Sequence, residues 1–290
     1  MKPPFTKLAC SDQLPLTCSR SGTCCHGKLV SLNPWELARL AHAKGLSPRD
    51  FRARFCDDGG LRLHFDGALG WKGQSACSQY LPHLGCSVHE GRPLVCRLFP
   101  LGRQRQGQEN YYMHQGSEFP CLEGCPEVLK LPKMSVADYI VGQSAKLFET
   151  AHDDYLELMQ LLADASFALL LETGLAESGD RLTLRLWRKL GGAEPMALAE
   201  RMGSEWLDLL MIPELSSCLP HPSEFARQHA ELLQAKAQEK FGNLEHLDAY
   251  REASGLMMSL ALHLGRGLGA NPVTLVEHWI STAKQNGALE

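Results

Sequence analysis

Short periodic segments, interrupted by glycine and proline, make up the first part of the chain. The sequence Asn33-Pro34-Trp35-Glu36 has the order of a helix start: an N-cap, a proline at the first helical position, and a glutamate that can reach back to the cap. Ser47-Pro48 predicts a second short helix. Apolar and polar residues alternate over 61–65 and predict a half-buried strand, and we predict another at 110–114. From 70 to 126 there is otherwise little periodicity, so hydrophobic burial alone would not order this stretch.

The pattern changes from about residue 135, where apolar residues recur at helical spacing. The sequence Ser-Val-Ala-Asp at 135–138 resembles a capping box, and the residues after it predict one or two helices that end at Gly174. Asn243 and Gly265 bracket a further predicted helix. We therefore predict that residues 131–290 form an all-helical domain.

The distribution of cysteines supports the same division. The chain has 290 residues and eleven cysteines, of which ten lie in the first 125 residues and only Cys218 lies beyond them. Hydrophobic residues at 44% and charged residues at 21% are typical of a globular protein and exclude a wholly disordered chain. The predicted fold class is mainly α, with an irregular, metal-stapled cysteine-cluster domain containing a little β structure over 1–130, followed by the helical domain over 131–290.

Hydropathy argues against a membrane protein. No run of apolar residues reaches the roughly 18 residues that a transmembrane helix requires. The first residues also lack the apolar run of a signal peptide, so we expect a cytoplasmic protein. In a reducing cytoplasm, clustered cysteines more often ligate a metal or carry redox chemistry than form disulfides.

Charge is distributed unevenly along the chain. Residues 1–130 carry 16 basic and 11 acidic residues, whereas 131–290 carry 13 and 22. A basic region raises the question of nucleic-acid binding. Thiolates bound to a metal would offset most of this positive charge, and Arg103 and Arg105 are not interleaved with aromatic residues. We therefore expect no nucleic-acid partner.

The spacing of the cysteines does not match a common metal motif. The chain has no C-x2-C pair of the kind that zinc knuckles repeat, and ferredoxin spacing is missing. Cys121 and Cys125 begin a radical S-adenosylmethionine pattern, but Val128 stands at its third position. Spacing alone therefore predicts a metal site assembled from distant loops and leaves zinc and iron–sulfur both open.

The order and surroundings of the cysteines are more specific. Cys18-x5-Cys24-Cys25 is followed by Cys77-x8-Cys86 and by the sequence RPLVCRLFP at 92–100. Over residues 18–126 this arrangement resembles the YkgJ family of cysteine-cluster proteins. The resemblance implies zinc or iron chelation, and the family includes flagellin lysine N-methylase.

The resemblance also implies a set of ligands. Ser21 stands where the family pattern has a cysteine, and serine is a poor ligand for soft metals. His89 stands where an aromatic residue is usual, and His26 is the best candidate for an additional ligand. Cys121 and Cys125 are included because of their downstream position and pairing. The predicted metal ligands are Cys18, Cys24, Cys25, Cys77, Cys86, Cys96, Cys121 and Cys125.

Several nearby residues receive other interpretations. Cys56 and Cys218 are interpreted as small buried hydrophobic residues. Cys10 is interpreted in the same way, although it could replace the missing cysteine at position 21. Arg92 and Arg97 flank the motif cysteine and are predicted to stabilise thiolate charge.

Two functional hypotheses follow. In the first, metal replaces a hydrophobic core in the N-terminal part, and the helical domain contacts a protein partner. In the second, the resemblance implies an enzyme that methylates protein lysines, in which the metal cluster acts with S-adenosylmethionine. The chain lacks a P-loop, the sequence G-x-S-x-G and the sequence H-E-x-x-H, so neither a catalytic residue nor a substrate is predicted.

Overall fold

The computed structural model describes residues 5–17, 22–106, 109–116, 118–119 and 121–290. The structure is 59% helical and 12% strand, which confirms the predicted mainly α fold class. In the part of the chain that it describes, no helix combines the length and hydrophobicity needed to cross a bilayer.

Helices occupy most of the second part of the chain. Within the described residues they are α1 (Pro34–Lys44), α2 (Pro48–Phe55), α3 (Leu94–Leu98), α4 (Cys121–Gly124), α5 (Val136–Gly142), α6 (Ala145–Leu171), α7 (Leu182–Gly191), α8 (Pro195–Met211), α9 (Pro222–Phe241), α10 (Leu247–Gly267) and α11 (Pro272–Gln285).

Strands are short and lie almost entirely in the first part. They are β1 (Phe5–Leu8), β2 (Gln13–Leu14), β3 (Cys56–Asp57), β4 (Arg62–Leu63), β5 (Tyr80–Leu81), β6 (Gly85–Cys86), β7 (Gly102–Gln106), β8 (Glu109–Gln115) and β9 (Met134–Ser135). The order β1-β8-β7 forms an antiparallel three-stranded sheet, in which Thr6 pairs with His114. The other strands form three antiparallel pairs, β2 with β9, β3 with β4, and β5 with β6.

The predicted helix starts are confirmed by their caps. The Asn33 side chain accepts a hydrogen bond from the Glu36 backbone N–H at 2.9 Å, and Glu36 Oε2 accepts one from the Asn33 backbone at 3.1 Å. Gly45 ends α1 with a φ of 71°, a conformation that favours glycine. Ser135 caps α5 by accepting from the Asp138 backbone at 3.0 Å. Because these signals are local in sequence, tertiary packing leaves them intact.

Of the two predicted strands, one is confirmed and the other is shorter than predicted. The strand predicted at 110–114 is present as β8, whose partners lie on both sides of it. The strand predicted over 61–65 is reduced to the two residues of β4, which pair with β3, and Arg62 also forms an isolated bridge with Ser31. The alternation there reflects burial of Leu61 and Leu63 against the core rather than a long ladder.

The two parts of the chain share one hydrophobic core. Buried residues from α1 through α11 belong to a single cluster. Trp35 is fully buried, its indole N–H donates to the Leu219 carbonyl at 2.9 Å, and its ring lies 4.8 Å from that of Phe148. The helical part is built around the long packed pair α6 and α10, where the Ser166 hydroxyl donates to the Ser254 carbonyl at 2.7 Å. The division of the chain into two domains at residue 130 stays a prediction.

The end of α10 differs from the prediction. Gly265 was expected to end this helix, but helical backbone continues to Gly267, and Gly269 follows with a φ of 79°. Gly267 lies against the loop before α1: a Cβ added there would be 2.5 Å from the Leu32 carbonyl oxygen. Glycine is therefore present at this position because α10 approaches the N-terminal backbone closely.

We expect Gly267→Ala to destabilise the protein by about 1–3 kcal/mol, because the added methyl group has to displace backbone. Denaturant unfolding followed by circular dichroism measures this change. Gly142→Ala is the matched control, since no atom lies within 4 Å of a Cβ built there, and it should be neutral or stabilising by up to ~1 kcal/mol. Equal stabilities of the two variants would contradict the close approach at Gly267.

Candidate metal centre

Seven of the eight predicted ligands line one cavity of about 1240 Å³. They come from separate segments: a 3-10 turn over Thr23–Cys25, the β5–β6 hairpin region, helix α3, and helix α4 with the residue that follows it. Cys18, the eighth predicted ligand, and Ser21 lie outside the described residues. The seven in the cavity are Cys24, Cys25, Cys77, Cys86, Cys96, Cys121 and Cys125.

Cysteines interpreted as unligated lie outside the lining of this cavity. Cys218 is buried in the helical core, and Cys10 is exposed on the loop after β1. Cys56 begins β3 and is partly buried, and burial raises the pKa of its thiol to about 12. The interpretation of Cys10 as a buried residue is wrong, because it lies exposed on a loop. These three cysteines are separate from the seven that line the cavity, and the ligand assignment itself stays a prediction.

Backbone hydrogen bonds hold the cysteine segments together. The Cys77 amide donates to the Cys25 carbonyl at 2.7 Å. On the other side, the Thr23 hydroxyl donates to the Gly124 carbonyl at 2.9 Å, and the Cys125 thiol donates to the same hydroxyl at 3.2 Å. The vicinal cysteines therefore stand between two segments that are remote in sequence.

Arg97 holds the segment that carries Cys96. Its side chain is buried, and its guanidinium donates to the carbonyls of Arg92 at 2.8 Å, of Gln143 at 2.7 Å, and of Glu90. The guanidinium also lies 3.8 Å from the centroid of the Phe148 ring. Arg97 was predicted to stabilise thiolate charge, but its donors are directed to backbone oxygens. Its role in the structure is to fasten the motif segment to α6.

Two further side chains secure this segment. Glu36 is buried in α1, its Oε1 accepts from the Leu94 amide at 2.7 Å, and burial raises its pKa to about 7. The Tyr139 hydroxyl contacts the Phe99 carbonyl at 2.6 Å and the Arg97 carbonyl at 3.1 Å. The short helix α3 is therefore held at both ends by neighbouring helices.

Burial raises the pKa of three of the thiols in the cavity. It raises the pKa of Cys77 to about 11 and also raises the pKa values of Cys86 and Cys96. Cys24 is the exception: a hydrogen bond from Cys25 lowers the pKa of its thiol, and the nearby cations Lys28 and Arg92 act in the same direction. A metal that binds here would have to displace thiol protons, so binding should release protons.

The donor set fits a thiolate-bound metal. Thiolates select zinc, copper(I) and iron–sulfur clusters over hard cations. Two sulfurs on one tetrahedral zinc would lie about 3.8 Å apart, given bonds of ~2.3 Å, and the Sγ atoms of Cys24 and Cys25 are 4.0 Å apart. In the described ranges no three His, Cys, Asp or Glu side chains are grouped closely enough to hold an ion. The sulfurs are thus gathered round one cavity and would close further on a bound metal.

His26, the best candidate for an additional ligand, lies outside the lining of the cavity. It is buried, its Nδ1 is 3.0 Å from the Gly22 carbonyl oxygen, and its ring packs 5.1 Å from that of Tyr80. His26 therefore supports the fold of the turn that carries the vicinal cysteines.

Lys28 is the residue of this site that sequence reasoning missed. It lines the cavity, and its Nζ lies 2.8 Å from the centroid of the Phe99 ring. The only local signal was its place three residues after Cys25, in the sequence CCHGK. Nothing in that spacing shows that Phe99, more than seventy residues later, would cover the ammonium group.

These features place the first part of the chain in the class of cysteine-rich metal-binding domains. Residues 17–115, about a third of the chain, match the family model CxxCxxCC, described as "Putative zinc- or iron-chelating domain". This match agrees with the family resemblance drawn from the cysteine order. No curated protein and no solved structure matches the chain significantly.

We expect Arg97→Lys to destabilise the protein by about 2 kcal/mol, because one ammonium cannot replace three hydrogen bonds of fixed geometry and a ring contact. Thermal and denaturant unfolding of the metal-free protein measure the effect. Arg49→Lys is the control: Arg49 is an exposed partner of Asp208, so a change within about 0.5 kcal/mol is expected. Equal stabilities of the two variants would show that Arg97 does not hold the segment.

Proposed function

We propose that this chain is a cytoplasmic metal-binding protein whose N-terminal part holds zinc or an iron–sulfur cluster through cysteine thiolates. The observation that carries the proposal is the convergence of seven cysteines from separate segments on one cavity. With Cys18, the predicted set has eight thiolates, enough for two four-cysteine sites or for one cluster and a smaller site.

The physical need for a metal supports the same proposal. Between residues 70 and 101 the described elements have at most five residues, and many of their side chains are only partly buried. Such a region gains little from hydrophobic burial, and metal–thiolate bonds supply folding free energy where a core is small. When bound, the metal would cross-link segments that are otherwise joined by a few backbone hydrogen bonds.

The chain's own residues would each have a defined part in holding the metal. The proposed ligands lose their thiol protons on binding, Arg97 keeps Cys96 in place, and the backbone bond between Cys77 and Cys25 holds two further segments in register. Arg92 lines the cavity and lowers the pKa of Cys24 by its charge. Methyl transfer with S-adenosylmethionine rests on the family resemblance alone, so we propose metal binding without assigning a reaction.

The test of metal binding is metal analysis of protein purified without oxygen, together with its visible spectrum. A colourless protein with zinc would select the zinc site, and a brown protein whose visible absorption bleaches on reduction would select the iron–sulfur cluster. A protein without stoichiometric zinc or iron after reconstitution with either metal would overturn the proposal.

We expect Cys96→Ser and Cys24→Ser each to lower the metal content, because serine is a poor ligand for soft metals. Metal analysis of each purified variant checks this. Cys218→Ser is the matched control: its thiol is buried in the helical core, away from the cavity, and its metal content should equal that of the wild type. Equal metal content in all three variants would contradict the ligand assignment.

Removal of the metal should loosen the N-terminal part selectively. We expect a strong chelator to raise amide hydrogen exchange in peptides from residues 70–126 by about tenfold or more, because these amides would lose the cross-link that closes their loops. Peptides from α10 are the internal control and should keep their protection. If the peptides from residues 70–126 exchange at the same rate before and after chelation, the metal has no structural role.

A further inference from the structure

The ammonium group of Lys28 occupies an unusual position in the wall of the cysteine cavity. Its Nζ is shielded from solvent and has no hydrogen-bond partner in the described part of the chain. Above it lies the Phe99 ring, 2.8 Å from Nζ to the ring centroid. A buried ammonium without a hydrogen-bond acceptor destabilises a folded protein, because the cation–π attraction of the ring compensates only part of the lost hydration free energy.

The ammonium shares its cavity with several cysteine sulfurs. Lys28 lines the same cavity as Cys24, Cys25, Cys96 and Cys121, and thiolates at these positions would favour its charged form. Burial acts in the opposite direction and lowers the pKa of Lys28. The cation is thus placed where thiolates, once formed, would stabilise it.

The two motif arginines beside the cavity have other partners. Arg97 donates to backbone carbonyls, and Arg92 donates to the side-chain oxygen of Gln143 and to the His89 carbonyl, the latter at 3.1 Å. Lys28 has three N–H donors, and its Nζ lines the cavity without a hydrogen-bond partner in the described residues. Of these three cations, Lys28 is therefore the one whose charged group has no such partner within the part of the chain that the structure describes.

We propose that Lys28 is the charge-compensating residue of the metal centre: its ammonium neutralises part of the negative charge of the metal-bound thiolates and donates a hydrogen bond to one of their sulfurs. This inference rests on the proposed function. Four thiolates on a divalent metal carry a net charge of −2, which is costly to bury without a nearby cation. Phe99 of the motif keeps the ammonium at the site, so Lys28 is a positioning residue for the metal.

The proposal makes two opposite predictions for Lys28→Met, which keeps the length and apolar stem of the side chain. Metal affinity should fall about tenfold, as for other groups that support metal ligands. The metal-free variant should unfold at the same temperature as the wild type or at a higher one, because an unpaired buried charge has been removed. A residue with a purely structural role would lower the stability of the metal-free protein.

Anaerobic titration of the metal-free full-length chain with Zn²⁺ alone and with Fe²⁺ alone, in competition with a chromophoric chelator, measures the affinity. Lys28→Arg should retain most of it because the charge is kept. Lys7→Met is the matched control: Lys7 also lies over an aromatic ring, 4.4 Å from that of Tyr111, but does not line the cavity. Its metal affinity should equal that of the wild type.

The outcomes separate this inference from the proposed function. If the wild type binds neither metal and also forms no cluster when Fe²⁺ is supplied with inorganic sulfide, the proposed function fails and the role of Lys28 fails with it. If the wild type binds metal and Lys28→Met binds it equally well, or if Lys28→Met destabilises the metal-free protein more than Lys7→Met does, only the role of Lys28 is overturned. A tenfold lower metal affinity of Lys28→Met, together with near wild-type affinity of Lys28→Arg, would establish the role of Lys28.

Discussion

The guanidinium of Arg97 is the contact on which the arrangement of the cysteine site depends. It binds three backbone carbonyls and stacks on Phe148 of α6. Because the carbonyls belong to the segment before Cys96 and to the turn after α5, one side chain fixes an irregular loop against the helical part. A charged group can serve this purpose in a buried position because each of its three nitrogens donates to a carbonyl. The motif arginine is therefore explained by backbone geometry rather than by thiolate charge.

The site itself combines groups whose charged forms are disfavoured by burial. Buried thiols have raised pKa values, and an ammonium lies beside them without a hydrogen-bond acceptor in the described residues. Thiolates bound to a metal would stabilise that ammonium, and the ammonium would stabilise them. The proposed metal thus resolves two electrostatic costs at once. This reciprocity is the physical argument for treating the cysteines, Lys28 and Phe99 as one unit.

Elements whose signals are local were predicted well. The helix starts at Asn33, Ser47 and Ser135 are present because a cap and the backbone N–H that donates to it lie within one turn of each other. The strand at 61–65 was overestimated, since alternating burial can arise from a loop packed on a core. The end of α10 was placed too early at Gly265, because that glycine serves packing rather than termination. The predicted position of an element was correct where the residues that determine it lie within that element.

The chain by itself determined the mainly α class, the concentration of cysteines in its first part, and which of them have a family-like order. These properties follow from periodicity, helix caps and motif residues, all of which depend on residues close together in the sequence. Only the tertiary structure decided that seven of those cysteines line one cavity, that His26 and Arg97 are directed to backbone oxygens, and that Lys28 lies under Phe99. The reason is physical: a side chain's direction and partners depend on contacts between segments far apart in the chain, and no local pattern encodes them.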